Sequence, residues 1–222
     1  MSAWDSPSTV AGFIESPPNA VLLRYAVQLR GDTSDGRVLD IGCGAARNAL
    51  PLARAGWQVL GTDTSRPMLE AAAGRARTEA LGGRLCLAQA SMDSLPVADR
   101  RIDLIVAHGI WNLARSSAEL GAGVREAARV AKPGAGLFVF TFSRHTLPPT
   151  ALPVPGEAFV FTDFSGAPQC FLTEAQLIEE LAAAGFTPDP AVPLTELGRA
   201  TTLLRTAAGP VIYEGAFRFA AS

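Results

Sequence analysis

The segment Asp40-Ile41-Gly42-Cys43-Gly44-Ala45-Ala46-Arg47 closes an apolar run with two glycines and leads into a helical stretch. Glycine lets a ligand approach backbone with no side chain between them. The free N–H groups and partial positive charge at the start of the following helix suit a carboxylate or a phosphate. Asp63 stands 21 positions after Gly42, at the end of the next apolar run. A carboxylate there can accept hydrogen bonds from both hydroxyls of a ribose, each charge-assisted bond contributing about 1.5–3 kcal/mol. Alone, Asp63 would read as an ordinary loop acid; with the glycine loop at this spacing it reads as half of a nucleoside grip. His108 and His145 each follow a later apolar run and are the candidate general bases. For His108 the competing reading is a hydrogen-bonded rim histidine. Trp111 and Asn112 either line a pocket or pack the next helix.

These residues need a scaffold that gathers strand ends, and the rest of the sequence supplies one. Apolar runs at Arg37–Ile41, Gln58–Thr62, Arg84–Ala88, Ile102–Ala107 and Leu137–Phe142 read as buried strands. Helical stretches lie between them. One starts near Ala46 and stops at Gly56; one is capped by Ser65, with Pro67 in its first turn and Gly82-Gly83 at its end. Ser116-x-x-Glu119 reads as a capping box for a third, with Leu120, Val124, Ala127 and Ala131 on one face and Lys132-Pro133-Gly134 closing it. Alternating strands and helices imply a parallel sheet with right-handed crossovers and both faces covered. Ligands of such a sheet bind beyond the carboxyl ends of its strands.

The chain reads as a single domain in four stretches: a helical cap over residues 1–30, a cofactor-binding core over 36–142, an insertion over 143–172, and a terminal helix and strand pair over 173–222. In the cap, Ser16-Pro17 reads as a helix start, with Val21, Leu22, Tyr25, Ala26 and Leu29 on an apolar face; Trp4 and Tyr25 are lid residues or plain packing. Phe159–Thr162 and Gln169–Leu172 suit a hairpin across Ser165-Gly166, which places Phe159, Phe161, Phe164 and Phe171 either over a pocket or packed on one another. Thr173-x-x-Gln176 opens the last helix, and the segments Phe186–Leu194 and Val211–Phe219 pair after it.

Composition excludes several classes. Hydrophobic residues make up 48% of the 222 and charged residues 18%, enough to bury a core. The net charge is −2 with no dense cluster of Lys and Arg, so the footprint that neutralises nucleic-acid phosphates is missing. No apolar run approaches the roughly 20 residues of a membrane span, and the N-terminal residues do not read as a secretory signal. Cys43, Cys86 and Cys170 lack metal-site spacing and read as buried or partly buried thiols of a reducing compartment. No metal is expected, and a cytoplasmic protein is.

A dinucleotide fingerprint would place a third glycine where Arg47 stands. Instead the chain resembles the class I S-adenosylmethionine-dependent methyltransferases. The resemblance rests on Val38-Leu39-Asp40-Ile41-Gly42-Cys43-Gly44, Gly61-Thr62-Asp63-Thr64-Ser65 with Met68, Leu95-Pro96 followed by Ile102-Asp103-Leu104-Ile105, and Arg129-Val130-Ala131-Lys132-Pro133-Gly134, and covers residues 36–142. Arg47-Asn48-Ala49-Leu50 is similar to the small-molecule branch of that family.

The resemblance implies an α/β fold, doubly wound, with a seven-stranded, mostly parallel sheet whose last strand is antiparallel and helices on both faces. It implies S-adenosyl-L-methionine as cofactor and a small-molecule methyl acceptor, in a monomer or a homodimer. The cofactor-binding positions it implies are Asp40, Gly42, Cys43, Gly44, Arg47, Asp63, Thr64, Met68, Ala107 and His108, with Ser91 and Met92 flanking the adenine and either Ser91 or Asp93 contacting its amino group. Ala46 stands where the family usually has a further glycine. Two other readings are a cofactor-binding regulatory protein without transfer and a nicotinamide-dependent oxidoreductase.

Overall fold

The computed structural model describes residues 3–31, 35–79, 81, 83–198 and 209–220. Two helices precede the sheet. Ser6 accepts the Thr9 N–H and Pro7 presets the first turn, which starts α1 (Pro7–Glu15). Ser16 therefore ends a helix instead of opening one, a correction to the sequence reading. The Pro17-Pro18 pair fills the turn, and Asn19 caps α2 (Ala20–Arg30) by accepting the Leu22 N–H at 2.9 Å.

The core then alternates: β1 (Arg37–Ile41), α3 (Ala49–Arg54), β2 (Gln58–Asp63), α4 (Arg66–Arg77), β3 (Leu85–Gln89), β4 (Ile102–His108), α5 (Ser117–Val130) and β5 (Ala131–Phe142). Helix α4 ends at Arg77, well before the glycines expected to stop it, and Gly82 lies outside the described residues. Ser116 caps α5 as expected, but Glu119 turns its carboxylate to the Arg115 N–H at 2.7 Å, one residue before the position a capping box requires. β6 (Val160–Phe161) and β7 (Gln169–Cys170) form the hairpin of the insertion. A reciprocal capping box of Thr173 and Gln176 starts α6 (Glu174–Ala183), followed by β8 (Phe186–Pro188), β9 (Thr195–Leu197) and β10 (Ile212–Phe219).

The main sheet runs β3-β2-β1-β4-β5-β10-β8, with β9 also beside β10. Strands β1 to β5 are parallel, and β10 is antiparallel to each of its neighbours. The seven-stranded expectation holds, with β9 as a short addition. Period-two alternation splits the sheet residues between two cores. Val38, Leu104, Val106 and Phe138 pack against α2, α3 and α4; Leu39, Ile41, Ile105, Leu137 and Val139 pack against α5 and α6. No helix among the described residues is long and apolar enough to cross a membrane. Cys43 and Cys170 are buried, whereas Cys86, on the edge strand, is exposed.

Helix α2 is tied to the last strands by a polar cluster. The Tyr25 hydroxyl donates to Asp189 Oδ2 at 2.9 Å, Arg218 Nε donates to the same oxygen at 2.5 Å, and the Ala191 N–H donates to Oδ1 at 3.0 Å. Tyr25 is thus a packing residue and no lid. Burial would raise the Asp189 carboxyl, but these donors outweigh it and hold it below the usual range. A depressed carboxyl stabilises the fold above its unfolded value and stops doing so as pH falls through its folded value. Asp189→Asn is expected to lower stability at neutral pH by about 1.5–3 kcal/mol. In thermal unfolding followed by circular dichroism, the gap to the wild type closes as pH falls below about 4; a gap that persists unchanged into acid contradicts this.

Candidate active site

The carboxyl ends of β1, β2 and β4 enclose a cavity of about 540 Å³. Its floor is the turn after β1, where Gly42 and Gly44 have φ of +68° and +53°. Both glycines are required twice over. A Cβ at Gly42 would stand 2.8–2.9 Å from three side-chain atoms of Ile110, and one at Gly44 would stand 2.9 Å from the Phe13 ring. Ala46, at φ +61°, holds a left-handed conformation with a methyl group and is fully buried.

Asp63 ends β2 and reaches back across the floor. Its Oδ2 accepts the Gly44 N–H at 2.9 Å and its Oδ1 accepts the Ser65 N–H at 2.8 Å. A carboxylate offers about four acceptor positions, so both oxygens retain capacity toward the cavity that Asp63 lines. Burial pushes this carboxyl above the ordinary range, while the Ser65, Gly44 and Thr64 N–H groups pull it back. Thr64, Met68, Ser91 and Met92 line the adjoining wall.

The far wall holds Arg47, His108, Gly109, Ile110 and Phe140. His108 stacks on Phe140 with ring centroids 4.1 Å apart and planes 6° from parallel. Arg47 donates to His108 Nδ1 at 3.0 Å. Burial, and next the Arg47 charge, push His108 down to about 3. The ring is therefore neutral at working pH, and its one lone pair is already taken by Arg47. A useful base titrates near the working pH, so the geometry and the electrostatics both speak against the expected base role of His108.

The remaining expected positions divide. Gly42, Gly44, Arg47, Asp63, Thr64, Met68, Ser91, Met92 and His108 line one cavity. Asp93 is exposed outside it, so Ser91 is the one of that pair facing the cavity. Asp40 is buried behind the turn, where desolvation raises it to about 7, and its Oδ2 has no hydrogen-bond partner among the described residues. Cys43 directs its thiol at Gly61, and Ala107 is enclosed in the sheet, so neither lines the cavity. His145 is corrected as well: it lies outside the cavity, with Nδ1 2.6 Å from Glu196 Oε1. Trp111 and Asn112 are buried beside the cavity without lining it.

The cover comes from an unexpected direction. Phe161 and Phe171 are buried in the insertion's own packing, meeting edge to face at 6.1 Å, Phe159 is buried in the main core on the α5 and α6 side of the sheet, and none of the four candidate phenylalanines lines the cavity. Trp4 and Phe13 line it instead, edge to face at 5.9 Å. Asp5 anchors this cover by accepting the Ser65 Oγ–H at 2.8 Å. Sequence reasoning missed Phe13 because α1 was not recognised, although Ser6-Pro7 is a helix-start signal. It also missed Arg115 and Glu119, which pair at the mouth at 3.1 Å.

A family model described as a methyltransferase domain matches residues 38–134. A ubiquinone/menaquinone biosynthesis C-methyltransferase of Syntrophotalea carbinolica is 40% identical over 116 residues, covering 51% of this chain and 46% of that protein. The chain spans about half the length of the curated relatives it matches. A solved methyltransferase of Methanosarcina mazei superposes with a TM-score of 0.68 at 22% identity, over 93% of this chain and 100% of that one. The 1,6-didemethyltoxoflavin-N1-methyltransferase of Burkholderia thailandensis, solved with 1,6-didemethyltoxoflavin and S-adenosylhomocysteine, gives 0.65 at 19% identity, over 91% and 79%. At these identities the structural matches show a shared fold.

The crowding at Gly42 gives a test of the floor. Gly42→Ala is expected to destabilise by about 2–4 kcal/mol, summing overpacking and left-handed strain. In an Ile110→Ala background the same change is expected to cost only about 1 kcal/mol, the strain part. Denaturant unfolding of the four proteins measures this, and an equal cost in both backgrounds contradicts the contact.

Proposed function

We propose that the chain is a class I S-adenosylmethionine-dependent methyltransferase, as the matching methyltransferase-domain model and relatives support, and that it methylates a small-molecule acceptor, by in-line transfer, inside the cavity described above. The observation that carries this reading is the Asp63 carboxylate, fixed by Gly44 and Ser65 and still able to accept from a ribose. The residues fit the cofactor: Gly42 and Gly44 present bare backbone to the cavity, and an acid stands where sugar hydroxyls would lie.

When bound, the cofactor supplies a methyl group already activated by a positive sulfur, with a neutral thioether as leaving group. The protein's task is alignment and exclusion of water, and alignment can lower such a barrier by about 7–11 kcal/mol. Asp63 would hold the ribose, with Thr64, Met68, Ser91 and Met92 flanking the adenine. Trp4 and Phe13 would close over it. The one lone pair of His108 is engaged by Arg47 and is not free to take a proton. An acceptor that brings its own nucleophilic lone pair or electron-rich carbon needs no base from His108.

Phe13, Ile110, Leu113 and Phe140 give the free space an apolar, partly aromatic lining, which suits a flat, weakly polar acceptor. Two of the similar proteins are named for small-molecule chemistry of this kind, one at carbon and one at nitrogen.

Isothermal titration with S-adenosylhomocysteine tests the grip. Asp63→Ala is expected to weaken binding by about 100-fold or more, the loss of two charge-assisted bonds. Wild-type affinity in the variant contradicts the reading. For the acceptor, labelled S-adenosylmethionine is offered with a panel of phenols, quinols and nitrogen heterocycles. Label is expected in a small organic product; label only in protein or RNA overturns the acceptor class.

A further inference from the structure

Arg47 is a cation set into the cavity wall, coupled at a distance to the buried Asp40 but in direct contact with no acid. It is about half buried, and no carboxylate lies within 4.0 Å of its guanidinium among the described residues. The other cavity arginine, Arg115, is mostly exposed and already paired with Glu119. A charge partly removed from water is costly unless something pairs with it directly.

What holds Arg47 is a chain of side chains drawn from distant parts of the sequence. Arg47 and the Asn19 amide both offer donors to the ring, and a neutral imidazole accepts at only one nitrogen; the shorter contact, 3.0 Å from Arg47, assigns Nδ1 as the acceptor and places the proton on Nε2. The ring cannot turn. Phe140 stacks along one face, and Asn19 Nδ2 stands 3.2 Å from Nε2, two donors facing each other with no bond between them.

Asn19 is itself fixed at three points. Its Nδ2 donates to Glu214 Oε2 at 2.6 Å, its Oδ1 accepts the Leu22 N–H, and its own N–H donates to Asn48 Oδ1 at 3.0 Å. Reversing the amide would break both side-chain bonds. Glu214, on the last strand, is 7% exposed. Asn48 is the residue after Arg47, so the same asparagine ties down the side chain next to Arg47 and abuts the ring that orients it.

We propose that His108 is a positioning residue: clamped between Phe140 and the Asn19–Glu214 pair, it holds the Arg47 guanidinium in the cavity as the partner of the carboxylate at the amino-acid end of the cofactor. This rests on the methyltransferase reading and deepens it. The adenosyl part of the cofactor carries no anion, so the one carboxylate it possesses is the group that pairs directly with the guanidinium. The histidine expected as a base thereby receives a different role, in which neutrality is a requirement.

The test compares two ligands by isothermal titration: S-adenosylhomocysteine, and 5′-methylthioadenosine, which lacks the amino-acid end. Arg47→Gln and His108→Leu are expected to weaken S-adenosylhomocysteine at least tenfold while leaving 5′-methylthioadenosine within about twofold. His108→Gln, whose amide oxygen can accept from Arg47, is expected to recover most of the loss. If both ligands weaken together in Arg47→Gln and His108→Leu, the residues only support the fold and the proposal fails. It fails equally if neither ligand weakens. A wild-type protein that binds neither ligand overturns the methyltransferase reading and takes this proposal with it.

Discussion

One hydrogen bond organises the site: the Gly44 N–H donated to Asp63 Oδ2 across 2.9 Å. It joins the turn after β1 to the end of β2, so the backbone that must stay bare and the acid that must face the ligand are set by a single contact. The bond works only if Gly44 keeps its left-handed φ, and that conformation leaves the space into which the Phe13 ring descends. The parallel register of β1 and β2, which places Ile41 beside Thr62, brings the two ends level. Nineteen residues separate the partners in sequence, and one strand spacing separates them in the fold.

Burial governs the chemistry of the groups around that bond. Asp40, behind the turn, is raised to about 7 because it is desolvated and has an unpartnered oxygen, even though the Arg47 charge pulls it down. His108 is lowered to about 3 by the same loss of water, and next by that charge. The wall therefore holds a cation at Arg47 and keeps its histidine neutral. Such an arrangement favours an anionic group on the ligand and disfavours adding a proton to the site. Transfer from a sulfonium needs little more from the protein than this field and a fixed line of approach.

Much of the architecture was legible in the sequence because it depends on local signals. The strands β1 to β5 announced themselves as short apolar runs between glycines and caps, and Ser65, Thr173 and the Phe159–Leu172 hairpin followed known turn and cap chemistry. Gly42, Gly44 and Asp63 stood out because spacing and strand position alone bring them to one rim. The errors came where tertiary packing decides. The four phenylalanines of the insertion carry no mark that tells a roof from a hydrophobic cluster, and the cluster buries more of them. Ser16-Pro17 and Asn19 both resemble helix starts; only the chain's path through two consecutive prolines makes Asn19 the cap. His108 has a base's position but a buried neighbourhood, and neither Arg47 beside it nor Asn19, 89 positions away, can be placed there by sequence spacing.

On the proposed reading, the cover formed by Trp4 and Phe13 and the wall formed by Phe140 and Ile110 would set acceptor choice, as expected when function is grafted onto a common fold. The account stands on the orientation of Asp63. A crystal structure of the protein with S-adenosylhomocysteine tests it most directly. The account requires both ribose hydroxyls within hydrogen-bond distance of the Asp63 carboxylate, with the Gly44 N–H still bonded to Oδ2. A ribose bound elsewhere, or an Asp63 turned from the cavity once the ligand is present, would contradict it.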